Sequence, residues 1–321
     1  MKVAIAQMTS KASPEHNFFV CEKMAKQAAK NGAEMVFWPE STDIIFDEDY
    51  PKEEERADYE GSRLKKFVDQ MSGLAKETKL YLSFGAHLPS EEEPKKWYMS
   101  YLTMNPEGTL IHSYNKIHPC VIKRPDLDVT ETDACTSGSP GNDNIKLIDV
   151  TSTNKKTGEK ETFKLGFAIC YDLRYPKFWL ELRDRQADAV IVPACWFFPT
   201  RAHWETLLTA RAIDNQYFVV CPAQIGVHNE ERPPSFGFSM VLDPVGEKQV
   251  ALGKVVEGKG KMDLSAQKEF KDHIDEFPEI GEGTALGYAE IELKRVGEVR
   301  KELPIRDYEN EAYGDKHEER K

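Results

Sequence analysis

The chain has no pair of cysteines at metal-ribbon or redox spacing. Its six cysteines (Cys21, Cys120, Cys135, Cys170, Cys195 and Cys221) are scattered along 321 residues with no C-x-x-C among them. That spacing gives neither a disulfide framework nor a zinc site, and it suits a reducing compartment, so cytoplasmic localisation is expected. With no His/Cys/Asp cluster at ligand spacing, neither a metal nor an organic cofactor is expected. No apolar run approaches the length of a membrane span, so no membrane partner is expected. Met1 runs straight into Val3-Ala-Ile-Ala6, so no signal or transit peptide is expected. Positive charge is not in excess either. A net charge of -12 argues against nucleic acid as a partner, although a local basic pocket for an acidic substrate remains compatible with it. Repeats, low-complexity tracts and Pro/Gly/Ser linkers are absent, so the chain reads as one α/β domain.

What is present is a strand–helix rhythm. Lys2 to Gln7 reads as a strand, and Phe18, Cys21, Met24, Ala25 and Ala28 recur at helical spacing before the Asn31-Gly32 stop. Strands are expected at Glu34–Trp38, Leu80–Ala86, Trp97–Met104, Thr109–Tyr114, Ile145–Val150, Thr162–Ile169, Ala189–Pro193, Tyr217–Pro222, Phe236–Asp243, Val250–Val256 and Tyr288–Leu293. Helices are expected over Asp58–Thr78, Lys177–Arg185 and Ala202–Asn215. Pro119 to Asn144 reads as a long irregular lid or binding loop. Glu257 to Glu282 reads as a solvated, partly helical excursion. The charged tail 309–321 is expected to be disordered.

The organising stretch is Phe163-Lys-Leu-Gly-Phe-Ala-Ile-Cys170-Tyr-Asp-Leu-Arg174-Tyr-Pro176. A buried strand ends in a thiol on a tight turn, and a helix follows. Such an elbow exposes a nucleophile while the next backbone N–H groups face whatever it attacks. Two further reactive side chains stand where strands finish: Glu40 after Val36-Phe-Trp-Pro39, and Lys116 after Ile111 to Asn115. Sites in open α/β proteins gather at the carboxyl ends of strands. A glutamate can take the thiol proton, and a lysine can lower the thiol pKa and hold an oxyanion. Singly, each has a bland alternative, a helix cap for Glu40 and a surface charge for Lys116.

Pro39-Glu40, Lys116-Ile-His118 and Gly166-Phe-Ala-Ile-Cys170-Tyr-Asp-Leu-Arg-Tyr-Pro176 resemble, in order and spacing, the signature segments of the nitrilase (carbon–nitrogen hydrolase) superfamily. Ala202-His-Trp-Glu205, Thr209 to Gln216 and Ser239 to Gly246 add to the likeness, which covers roughly 1–256 and resumes near 288–308. The resemblance implies a four-layer α-β-β-α sandwich over a single domain, 1–308, with an insertion near 259–286. It implies that Cys170 is the nucleophile, Glu40 the general base, Lys116 the oxyanion holder and Glu131, in Glu131-Thr-Asp-Ala-Cys-Thr-Ser-Gly138, the second glutamate. It also implies a homodimer or larger assembly, to which Phe178, Leu180 and Leu182 are expected to contribute. His203-Trp204, Asp214-Asn-Gln216 and Tyr171 to Pro176 are similar to the Nit-type branch, which holds deaminated-glutathione amidase and ω-amidase. Val36 to Asp43 and Pro222 to His228 lean toward the first of these.

The implied activity is hydrolysis of a small-molecule amide through a thioester, with ammonia leaving from a carboxamide. The alternatives are an ω-amidase acting on α-ketoglutaramate or α-ketosuccinamate, an N-carbamoyl amidohydrolase or nitrilase, and a non-catalytic scaffold on the same fold. Substrate contacts are expected from Tyr171, Arg174, Trp196 and His203. Arg174 suits a substrate carboxylate, with a structural salt bridge as the equal alternative. For Arg211 a structural role is favoured. His203 invites a rival Cys-His dyad, and Trp196 and Trp204 could simply be packing. Two departures from the branch pattern, Pro119-Cys-Val-Ile-Lys123 and Phe236-Gly-Phe-Ser239, are expected to touch the pocket wall.

Overall fold

The structure is a computed structural model that describes residues 1–46, 59–153, 158–230 and 232–307. The chain opens with β1 (Lys2–Gln7), α1 (Pro14–Lys30), β2 (Met35–Phe37), α2 (Leu64–Thr78), β3 (Tyr81–Pro89), β4 (Trp97–Met104) and β5 (Leu110–Asn115). A small hairpin, β6 (Val121–Arg124) and β7 (Leu127–Thr130), precedes β8 (Ile148–Thr153), β9 (Lys160–Phe167), α3 (Pro176–Asp184), β10 (Ala189–Ile191), α4 (Arg201–Asn215) and β11 (Phe218–Cys221). The remainder adds β12 (Ile225–Gly226), β13 (Ser235–Phe236), β14 (Met240–Leu242), β15 (Lys248–Ala251), β16 (Lys254–Val255), β17 (Met262–Asp263), α5 (Ser265–Glu269), β18 (Ile274–Glu276), β19 (Ala285–Glu290) and α6 (Leu293–Glu302).

Two mixed sheets form the interior. One has seven strands in the order β18-β19-β1-β2-β3-β4-β5, and the other six in the order β15-β14-β11-β10-β9-β8. Alternation along β1 shows why they stack. Val3 and Ile5 face the second sheet and share a core with Phe163, Leu165 and Val190, whereas Ala4 and Ala6 face outward onto Val20, Met24 and Ala28 of α1. With both faces covered, β2, β10 and β11 need continuous apolar sequence, and they have it. Helix α1 starts cleanly because the Ser13 side chain accepts from the His16 N–H and Pro14 occupies the first turn. The result is helices outside two face-to-face sheets, the expected four-layer α-β-β-α sandwich.

Several expectations need correction. The 119–144 segment is not wholly irregular: β6 and β7 pair from Val121↔Thr130 to Arg124↔Leu127. The strand expected over Phe236–Asp243 is broken because Gly237 and Phe238 both have positive φ (74° and 59°), which separates β13, paired with β12, from β14, paired with β11 and β15. The last strand lies earlier, at Ala285–Glu290, and Leu293 instead opens α6, which the sequence reading did not anticipate. The excursion after Glu257 does not stay in solvent. Its β18 pairs with β19 as an edge strand, and Gln267 accepts from the Gly253 N–H. The charged tail 309–321 lies outside the described residues. Among the described residues, no helix is long and apolar enough to cross a membrane.

Candidate active site

The two sheets bring several strand ends together. Glu40 follows β2, Lys116 follows β5 and Cys170 follows β9, while a fourth end, Pro193-Ala-Cys195 after β10, completes the group. Lys116 is 1% exposed, and its Nζ lies 2.8 Å from Glu40 Oε1 and 2.7 Å from Glu131 Oε2. Glu40 Oε2 also accepts from the Cys195 N–H at 2.9 Å, and Glu131 Oε2 accepts from the Cys120 N–H at 2.6 Å. The structure thus brings Glu40, Lys116 and Glu131 into direct contact. Burial alone would lower the Lys116 pKa, but the Glu131 and Glu40 charges outweigh it and hold the ammonium well above its ordinary value. Burial works to raise the Glu131 pKa, and Lys116 outweighs that, so the carboxylate is held low.

Cys170 sits on the elbow with φ of +45°, unusual for a residue other than glycine. Its N–H donates to the Pro193 carbonyl at 2.9 Å. Burial and the Glu40 charge push the thiol well above its ordinary pKa, and Lys116 opposes them without prevailing. The expectation that Lys116 lowers the thiol is therefore met in sign but outweighed. At rest, Cys170 is a thiol.

One buried carboxylate registers the elbow against the lysine strand. Asp172 is 0% exposed. It accepts from the Ile169 N–H (2.9 Å), the Tyr114 hydroxyl (2.7 Å), the His118 N–H (3.0 Å) and His118 Nδ1 (2.7 Å). Tyr114 and His118 flank Lys116, and Ile169 precedes Cys170. His118 in turn stacks on Tyr175, with centroids 3.6 Å apart.

A narrow cleft of about 10 Å³ in front of Cys170 is lined by Tyr171, Arg174 and Trp196, together with Cys120, Glu131 and Cys195. Arg174 has no acidic partner among the described residues. Its guanidinium lies over Trp196 (4.6 Å) and Tyr171 (5.3 Å), NH1 meets His203 Nδ1 at 3.0 Å, and its Nε is buried without a partner. Tyr171 donates its hydroxyl to the Val121 carbonyl, and Trp196 donates its indole N–H to Thr200. His203 is exposed, lines neither this cleft nor the larger cavity beside it, and is bonded to Arg174 rather than to Cys170. Arg211 donates to the Leu173 carbonyl and faces Trp179, a structural role as favoured. Cys120 and Ile122 of the altered 119–123 stretch do line the cleft. Phe238 does not: it faces Phe236 and Lys254, away from it, which corrects the expectation for the 236–239 departure. No group of three His, Cys, Asp or Glu among the described residues is placed to hold a metal.

Known proteins resemble the chain in sequence and in fold. The carbon–nitrogen hydrolase family model matches residues 2–301. Human deaminated glutathione amidase is 33% identical over 285 residues, covering 86% of this chain and 80% of its own length. The Dictyostelium discoideum protein of the same name is 31% identical, with 77% and 81% covered. Among solved structures, the Caenorhabditis elegans NitFhit protein superposes with a TM-score of 0.71 at 28% identity, covering 96% of this chain and 64% of that one. An amidase from Nesterenkonia superposes at 0.66 with 19% identity, a likeness of fold. The chain belongs to the carbon–nitrogen hydrolase family of the nitrilase superfamily, and it is an amidase-class enzyme acting on C–N bonds.

Proposed function

We propose that the chain hydrolyses an amide of the deaminated-glutathione type through a thioester on Cys170. The observation that carries this reading is Lys116 held between Glu40 and Glu131 at 2.8 and 2.7 Å beside the Cys170 elbow. Glu40 takes the Sγ proton as the sulfur attacks the amide carbon, which suits a thiol that is protonated at rest. Lys116 and the Tyr171 N–H hold the oxyanion. The C–N bond breaks, Glu40 returns the proton to the leaving nitrogen, and a water activated by Glu40 then releases the acid. Glu131 keeps Lys116 charged and in place. A carboxamide gives up ammonia, whereas a secondary amide such as those in deaminated glutathione gives up an amine. Arg174, pinned by aromatic faces with a spare N–H, is the group for a substrate carboxylate. Six unpaired cysteines suit work in the cytoplasm.

The test offers purified protein deaminated glutathione and α-ketoglutaramate side by side and follows the acid product by chromatography. Cleavage of the first in preference to the second, abolished in Cys170→Ala, is the expected result. Preference for the keto-amide makes the protein an ω-amidase, and turnover retained in Cys170→Ala overturns the thioester scheme. Lys116→Ala is expected to lose roughly 100- to 1,000-fold in kcat, the usual loss for one oxyanion donor.

A further inference from the structure

A cavity of about 550 Å³ adjoins the Cys170 cleft and shares Glu131, Cys195 and Phe197 with it, while Glu40 forms part of its own wall. Its volume suits an extended small molecule. In its wall, His87 of β3 is 7% exposed and packs edge-on against Trp97 (5.1 Å) and Phe46 (6.2 Å), which stack on each other at 5.4 Å. Its Nδ1 lies 3.0 and 3.1 Å from the two oxygens of Asp43, a fully buried carboxylate that also accepts from the His87 N–H at 2.7 Å and from the Tyr59 hydroxyl. Asp43 can only accept, so the Nδ1 position carries the proton. Nε2 has no hydrogen-bond partner among the described residues, and His87 is part of the cavity lining.

Several charged groups nearby are already engaged with one another. Arg124 is doubly bonded to Asp126, Lys123 pairs with Asp128, and Glu40 and Glu131 hold Lys116. An imidazole fixed in this way leaves one ring nitrogen unshared in a wall that joins apolar Ile44, Phe46, Met99 and Pro233 to polar Ser41, Asp128 and Glu131. We propose that this cavity is the subsite for the non-reacting half of the substrate, and that His87 Nε2 accepts a hydrogen bond from an amide N–H there. The cavity therefore takes an extended, peptide-like amide. Asp43 acts as a positioning residue by fixing the His87 tautomer. The inference rests on the amidase reading of the adjoining cleft.

The experiment compares kcat/KM for deaminated glutathione and for α-ketoglutaramate in the wild type, His87→Ala and His87→Gln. The ratio of the two is expected to fall about tenfold in His87→Ala, a loss of the size one hydrogen bond supplies, and to recover in part in His87→Gln, whose carbonyl can accept. An equal loss on both substrates with a lowered melting temperature would mean a structural role and overturn the subsite, as would an unchanged ratio. Calorimetric binding of deaminated glutathione to Cys170→Ala, with and without His87→Ala, needs no turnover. Weaker binding in the double variant supports the subsite even if the wild type proves inactive, which would instead sink the deaminated-glutathione reading. Equal binding, or none in either variant, overturns the subsite.

Discussion

A carboxylate with no solvent exposure is costly unless every lone pair is used, and Asp172 uses its four acceptor sites on donors from the lysine strand and the nucleophile elbow. It therefore sets the distance between Lys116 and Cys170. Asp172→Asn is expected to cost about 2–4 kcal/mol in urea unfolding, because an amide N–H then meets donors in a dry site. The surviving folded enzyme should lose kcat with KM little changed. A KM effect alone would place Asp172 elsewhere in the mechanism. The raised thiol of Cys170 makes a second prediction. Alkylation by iodoacetamide needs thiolate, so the labelling rate should keep climbing above pH 9. A plateau near neutrality would indicate an ion-paired cysteine. The Lys116–Glu131 pair adds a pH window for stability. Glu131 is depressed, so its contribution is present above about 4.5 and is lost as pH falls through the folded value; Lys116 is raised, so its contribution is lost only on the far alkaline side. Glu131→Gln should flatten the acid limb of a melting-temperature profile. At this scale the sequence was legible where chemistry coincides with a strand end, as at Glu40, Lys116 and Cys170. His87 was not legible: its partner Asp43 is 44 residues away, and a lone histidine in an apolar strand looks like any core histidine.

Between elements, the contacts are set by backbone approach. The turn carrying Glu40 lies directly on β3 at Gly85, whose N–H donates to the Pro39 carbonyl at 3.2 Å. A Cβ on Gly85 would sit 2.5 Å from Ser41 N and 2.8 Å from the Pro39 carbonyl oxygen, both of them backbone atoms that cannot rotate away. Gly85→Ala should therefore move the Glu40 turn, costing roughly 1–3 kcal/mol of stability and most of the kcat. A variant with normal melting and normal turnover would show that the turn has slack. The strand–helix rhythm was readable in sequence because both faces of β2, β10 and β11 are covered, which demands apolar runs. The β6–β7 hairpin escaped notice because its two strands are only four residues each and bury Leu127 alone, too little to mark a pattern, yet it leads directly into the turn that presents Glu131. Helix α6 escaped for a related reason: only Val296 and Val299 are buried along its length, too few for a visible stripe.

At the scale of the whole molecule, the expected assembly can be tested on the outer helices. Of the three residues anticipated there, Phe178 (7% exposed) and Leu182 (1%) pack into the chain's own core, because α3 turns that face toward Tyr114 and β9. Leu180 alone points out, at 37% exposure, and Tyr175 at the start of α3 and Ile213 on α4 are similarly uncovered, at 39% and 43%. Apolar side chains on outer helices suit a second copy of the chain better than solvent. Sedimentation of the wild type should show a dimer or larger species, and Leu180→Arg combined with Ile213→Arg should shift it toward monomer without unfolding it. Tyr175 makes that shift consequential for chemistry, since its ring stacks on His118, which bonds Asp172 between Lys116 and Cys170. Covering Tyr175 in an interface would stiffen that chain of contacts. The double variant should then lose kcat as it dissociates, with activity recovering at high protein concentration. A monomeric wild type with full activity would remove the interface and leave the site self-sufficient.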